Sequence, residues 1–117
     1  MCGIFSLINT ELNDEQLKLW NQVFMIGSKR DPEFSTLRKV QERAYFGFHR
    51  LAMNGLNETS NQPLHLNGIT IICNGEIYNY KNFIKELNIN MKTDSDCEII
   101  IHLYLKYGFA QTVQMLD

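Results

Sequence analysis

The sequence predicts a single small globular domain that mixes strands with helices, and three observations carry that expectation. Hydrophobic residues make up 44% and charged residues 21% of the chain, close to the globular average and far from the bias of disordered or disulfide-stapled chains. Short aromatic and β-branched runs punctuated by Asn and Gly read as strands, whereas apolar residues at helical spacing behind capping residues read as helices. A length of 117 residues allows at most one domain, burying somewhat under about 70% of its unfolded surface.

Met1 to Ile8 is a short apolar stretch closed by Asn9-Thr10, which predicts a first strand with Cys2 at its tip. Asn13 with Gln16 forms a capping-box pattern, and Leu17, Trp20 and Phe24 then recur as a core-facing helical stripe up to Gly27. From Gly27 to Gln41 the chain is polar, basic and contains Pro32, which reads as a loop. The aromatic content of Ala44 to Met53 favours a strand, and it contains His49 and Arg50.

Asn54 to Asn67 is rich in Asn, Ser, Gly and Pro and reads as a connection. The β-branched run Ile69 to Cys73 has the pattern of a strand buried on both faces, ended by the turn signal Asn74-Gly75. A short helix is expected from Asn79 to Leu87. Ser95-Asp96-Cys97-Glu98 reads as a second capping box before Ile99, Ile100, Leu103, Tyr104 and Tyr107, with Gly108 as terminator. A further amphipathic piece carries Phe109, Val113 and Leu116.

Charge and cysteine usage exclude several function classes. A formal net charge of -2 and a pI near 5.9 give no footprint for nucleic acid or an anionic membrane. Apolar runs fall short of the ~20 residues of a spanning helix, and no signal-peptide pattern opens the chain. Cys2, Cys73 and Cys97 are an odd set without a C-x-x-C pair, which argues against a zinc knuckle or disulfide framework and points to a reducing cytoplasm.

Cys2 stands out by position. Removal of Met1 would leave its thiol beside a free α-amino group. An α-amine of pKa about 7.7 to 8.0 can accept the proton of a thiol near 8.5 at neutral pH. On position alone, a merely buried cysteine is the simpler reading. Likewise Arg50 alone is a surface arginine, Asn74-Gly75 a hairpin turn, and Asp96 a favourable first-turn acid. His49 would point away from Arg50 on a strand, and Cys73 and Cys97 read as small core residues.

Taken together, Met1-Cys2-Gly3-Ile4-Phe5, His49-Arg50-Leu51, Asn74-Gly75-Glu76-Ile77-Tyr78-Asn79 and Ser95-Asp96-Cys97-Glu98 resemble, in order and interval, the glutamine amidotransferases of the N-terminal nucleophile class. Glu76 brings the chain closest to the glutamine-hydrolysing asparagine synthetase branch. The family usually carries Arg-Gly-Pro-Asp where this chain has Arg30-Asp31-Pro32-Glu33. The resemblance implies an α+β fold, the four-layer αββα sandwich of the N-terminal nucleophile hydrolases, here incomplete at its C-terminus. Residues 2–117 would be a partial glutaminase domain without the synthetase domain, either a fragment of a longer chain or a shortened protein.

The same resemblance implies roles. Cys2 would be nucleophile and, through its α-amine, base. The Asn74 side chain and Gly75 N–H would form the oxyanion hole. Arg50 would clamp the α-carboxylate of glutamine, a task suited to a guanidinium fork, while Glu76 and Asp96 would receive the α-ammonium. Glutamine hydrolysis of this kind needs no metal or nucleotide, and ATP and magnesium would be used only by a synthetase domain or full-length partner chain. Another amidotransferase with a different ammonia acceptor, or an inactive domain serving as a binding module, stays open as an alternative.

Overall fold

The computed structural model describes residues 2–29, 33–51 and 58–117. The loss of Met1, the run Arg30 to Pro32 and the end of the predicted strand at Met53 therefore lie outside the described residues. Among the described residues ten elements follow one another, three of them strands of the first sheet. Strand β1 (Gly3–Ile8) is followed by helix α1 (Asp14–Ile26), a 3-10 turn (Gly27–Lys29), β2 (Phe34–Gln41) and β3 (Ala44–Arg50). After a second 3-10 turn (Glu58–Ser60) come β4 (Leu64–Leu66), β5 (Ile69–Ile71), α2 (Tyr80–Leu87) and α3 (Glu98–Met115). This is an α+β arrangement. No helix among the described residues is long and apolar enough to cross a membrane.

The first sheet is antiparallel in the order β1-β3-β2. Gly3, Phe5 and Leu7 alternate with the exposed Ile4, Ser6 and Ile8, and Phe5 meets Trp20 and Phe24 of α1. The predicted capping box of α1 forms in full: Gln16 N–H donates to Asn13 Oδ1, and Asn13 N–H to Gln16 Oε1. Helix and sheet approach closely at Gly47, where a Cβ would lie 2.6 Å from a Phe24 ring carbon. Only glycine fits under that ring.

The predicted loop over Gly27 to Gln41 is corrected in its second half, where β2 pairs with β3 from Phe34↔Arg50 to Gln41↔Ala44. Its polar, basic composition hid it because β2 is an edge strand, and edge strands carry exposed charges such as Arg38 and Lys39 that discourage further pairing. Strand β4 was likewise hidden in the Asn- and Pro-rich connection. The hairpin joining β4 to β5 turns at Asn67-Gly68, with φ of 50° and 78°, the conformation that an Asn-Gly hairpin adopts.

Strand β5 is half-buried rather than buried on both faces. It belongs to a two-stranded sheet, and its apolar residues pack with Leu66 and Cys73 against Leu64, Cys97 and Ile101. On its other side α3 packs Ile99 and Leu103 against Ile77 and Phe83. Helix α3 therefore lies between α2 and the hairpin, which explains three consecutive isoleucines at its start. At Gly108 (φ 76°, ψ 174°) it breaks, as predicted, and Phe109 and Val113 beyond the break are exposed.

Candidate active site

Cys2 precedes the first strand and sits half-buried at the sheet edge. The β1–β3 ladder ends at Gly3↔His49, so one residue further along Cys2 stands opposite Arg50. The Cys2 thiol lies 3.9 Å from the Leu51 carbonyl, towards which it donates. It lines a cavity of about 280 Å³ together with Gly3, Ile4, Phe5, Val23, Phe24, Gly27 and His49. Of the predicted site residues only Cys2 touches that cavity.

His49 faces the opposite way from Arg50, as strand alternation predicts. Its ring stacks on Phe24 at 3.9 Å. Nε2 is 2.9 Å from the Phe24 carbonyl and Nδ1 is 2.7 Å from Ser35 Oγ. Because a carbonyl can only accept, Nε2 carries the hydrogen. His49 thus fastens the C-terminal end of α1 to the sheet just behind Cys2.

From Arg50 a series of contacts leads through every other predicted segment. Arg50 Nη1 donates to Asn61 Oδ1 at 2.7 Å, which orients the guanidinium. The next residue, Gln62, is 6% exposed and grips the backbone of Cys73 twice: Cys73 N–H donates to Oε1 at 2.5 Å, and Nε2 donates to the Cys73 carbonyl at 3.0 Å. A side-chain amide thereby serves as a one-residue strand partner where β5 has ended, and it fixes the main chain immediately before Asn74. Asn74, Gly75 and Glu76 follow as an exposed bend.

That bend is not a hairpin, and Gly75 has neither the positive φ nor the crowded surroundings that would demand glycine for the fold itself. Ile77 N–H donates to Asp96 Oδ2, and the Cys97 thiol approaches the Gly75 carbonyl at 3.9 Å. Asp96 is partly buried just before α3. The segment bearing Asn74, Gly75 and Glu76 is therefore tied at its start by Gln62 and at its end by Asp96.

The expected capping box at Ser95 to Glu98 does not form; α3 has no side-chain cap. Its first N–H groups are met instead by i−3 carbonyls, Glu98 to Ser95, Ile99 to Asp96 and Ile100 to Cys97. Glu98, 1% exposed, accepts from Lys92 N–H and Thr93 N–H and pairs with His102 Nε2 at 3.0 Å. Burial acts to raise the Glu98 pKa, but the bonds from His102, Lys92 and Thr93 outweigh it and hold the carboxyl below the usual glutamate range. The loop before α3 is thus shaped around one buried carboxylate.

Asn61 and Gln62 were missed by sequence reasoning. They lie in a stretch whose composition said only connection, and the one available signal was an amide residue directly before Pro63 and a short apolar alternation.

The fold is thus an α+β domain with a half-buried cysteine just before its first strand and, opposite it, an arginine whose guanidinium is bonded to Asn61. The chain belongs to the glutamine amidotransferase domain family, whose model matches residues 1–117. It is 43% identical over its whole length to a probable glutamine-hydrolysing asparagine synthetase of Acanthamoeba polyphaga mimivirus, covering 22% of that protein. It is 34% identical to the glutamine-hydrolysing asparagine synthetases of Gallus gallus and Homo sapiens, covering 21% of each. The chain thus spans about a fifth of the length of these relatives.

Proposed function

We propose that the chain hydrolyses glutamine to glutamate and ammonia, and that the ammonia serves ATP-dependent conversion of aspartate to asparagine by a synthetase domain or partner chain. Cys2 attacks the side-chain amide carbon of glutamine. Its α-amine, freed by removal of Met1, takes the thiol proton and returns it to the leaving ammonia. The thioester formed on Cys2 is then opened by water, giving glutamate. The Asn74 side chain and the Gly75 N–H donate to the oxyanion, Arg50 holds the α-carboxylate, and Glu76 and Asp96 hold the α-ammonium. This half-reaction calls for no metal or nucleotide.

The observation that carries the reading is the run of contacts from Cys2 through Leu51, Arg50, Asn61, Gln62 and Cys73 to the Asn74–Ile77 segment and Asp96. Segments far apart in sequence are thereby linked by bonds at or next to the residues to which the reading assigns roles. Exposed Ile4 and Ile8 on the outer face of β1 support a second packing layer there, as the four-layer sandwich of N-terminal nucleophile hydrolases would supply. We place the domain at residues 2–117 and in the cytoplasm.

The test is release of glutamate from glutamine by the full chain, with its N-terminal residue verified by mass. Cys2→Ala should reduce the rate by about a thousandfold or more, since loss of a nucleophile removes the covalent route altogether. Hydrolysis that survives Cys2→Ala, or a protein that keeps Met1 and still turns over, sinks the proposal.

A further inference from the structure

Two neighbouring residues to which the chemistry above gives no part, Asn61 and Gln62, bond in two different directions. Asn61 Oδ1 accepts from Arg50 Nη1 at 2.7 Å, at the end of β3. Gln62 accepts from the Cys73 N–H at 2.5 Å and donates to the Cys73 carbonyl at 3.0 Å, one residue before Asn74. The clamp for the α-carboxylate and the donors to the oxyanion are therefore joined through two side chains that stand on adjacent Cα atoms, about 3.8 Å apart.

That link is stiff. Asn61 N–H donates to the Glu58 carbonyl at 3.1 Å. The Pro63 carbonyl accepts from Arg38 Nη2 of β2 at 2.6 Å. Leu64, buried, pairs with Ile71 across the β4–β5 hairpin. The first sheet thus holds the segment through Arg38 and the second through Leu64, and Gln62 is itself buried. Neither side chain can slide along its partner without breaking bonds that belong to the sheets.

A stiff link of fixed length between the groups that grip the two ends of a substrate measures the length of that substrate. Glutamine and asparagine carry the same α-carboxylate and the same side-chain amide, and glutamine has one more methylene between them. With its α-carboxylate on Arg50, asparagine would hold its carbonyl short of the donors at Asn74 and Gly75. A misplacement of about 1 Å at a reacting centre costs on the order of a hundredfold in rate. Where the ammonia ends in asparagine, a thiol that also hydrolysed asparagine would undo the product.

We propose that Asn61 and Gln62 are positioning residues that set the spacing between the α-carboxylate clamp and the oxyanion donors, and that this spacing selects glutamine over the shorter asparagine. The proposal rests on the glutamine reading above, from which it takes the roles of Arg50, Asn74 and Gly75.

Selectivity is read on the full chain, with its N-terminal residue verified by mass, from the rates at which Cys2 is alkylated by two diazo ketones. These are the analogues of glutamine and of asparagine in which a diazomethyl group replaces the amide nitrogen. Both rates are divided by that for iodoacetamide, which reports exposure of the thiol and is blind to chain length. In the unsubstituted chain the glutamine analogue should react about a hundredfold faster than the asparagine analogue. Asn61→Ala and Gln62→Leu should each narrow that ratio by about tenfold or more, chiefly by slowing the glutamine analogue. Asn61→Asp keeps an acceptor for Arg50 but competes for its charge, so it should slow both analogues and restore the ratio. Should Gln62→Leu not fold, Asn61→Ala decides, since that side chain is only half-buried. Equal rates for the two analogues in the unsubstituted chain, or a ratio unchanged in Asn61→Ala, overturn the length-setting role and leave the glutamine reading standing. A Cys2 thiol that iodoacetamide alkylates and neither analogue labels overturns the proposal together with that reading.

Discussion

The two halves of the molecule hold their candidate site residues by different means. Cys2 and Arg50 stand at the end of an antiparallel ladder, where β1, β3 and β2 share many parallel backbone bonds. Asn74, Gly75, Glu76 and Asp96 stand on irregular chain, where single side chains do the holding: Gln62 on Cys73, Asp96 on Ile77, Glu98 on Lys92 and Thr93. A ladder spreads its stability, so that no one bond matters much. An irregular segment concentrates it, because each buried N–H has one partner and leaving it unmet costs its desolvation. The sheet half should therefore fail through packing, and the loop half through loss of individual polar side chains.

The largest effect is expected at Glu98. Glu98→Ala strands the N–H groups of Lys92 and Thr93 beside a buried space and should cost about 3 kcal/mol, read by urea unfolding. Glu98→Gln keeps one acceptor oxygen and should recover part of the loss. The same carboxylate predicts acid lability. Its folded pKa lies below the ordinary value of 4.5, so the stability it contributes is complete above that value and is lost as the pH falls through the folded one. Unfolding midpoints measured downwards from pH 6 should drop more steeply for the unsubstituted chain than for Glu98→Gln. Parallel profiles would mean that the loop is held by something other than this charge.

Gly47→Ala probes the sheet half. The added methyl meets the Phe24 ring, and repacking should cost about 1–3 kcal/mol without removing any hydrogen bond. Should this substitution prove neutral, the contrast between packing and polar holding fails on the sheet side. Gln62→Leu is the matching probe in the loop half, close in volume but without the amide. It should cost about 1–2 kcal/mol and, on the proposed mechanism, lower kcat for glutamine more than it raises KM, since Cys73 is freed next to Asn74 while Arg50 remains in place. A purely structural role would lower the yield of folded protein and leave both constants as they were.

What was legible in the sequence follows the same division. Helix α1 was read from its cap and helical spacing, strand β1 from an apolar run closed by turn residues, strand β3 from its aromatic content and the break at Gly108 from the glycine itself, because there the side chains report the backbone directly. Strand β2 was hidden since an edge strand advertises charge instead of alternation. Strand β4 was hidden because three residues are too short to show a period. The second capping box was a true pattern with the wrong outcome: i−3 carbonyls met the helix N–H groups first, and Glu98 was drawn to Lys92 and Thr93. The candidate site residues themselves were found by motif. The amides that hold them, Asn61 and Gln62, were not, since a hydrogen bond between residues eleven positions apart leaves no mark on local composition.

The smallest effect tests whether local signals act alone where they are most legible. Asn13→Ala removes the side-chain acceptor of the Gln16 N–H in the α1 capping box, leaves the backbone N–H of residue 13 to donate to Gln16 Oε1, and should cost about 1 kcal/mol. Its consequence for Cys2 should be slight, because the N-terminal end of α1 is the end remote from His49, whose Nε2 bonds the Phe24 carbonyl near the other end. Thermal unfolding should show a drop of a few degrees with unchanged reactivity of the Cys2 thiol towards iodoacetamide. A change in that reactivity would mean that α1 moves as a rigid lever on the sheet, and that even this ladder-held half couples a single polar side chain to the site.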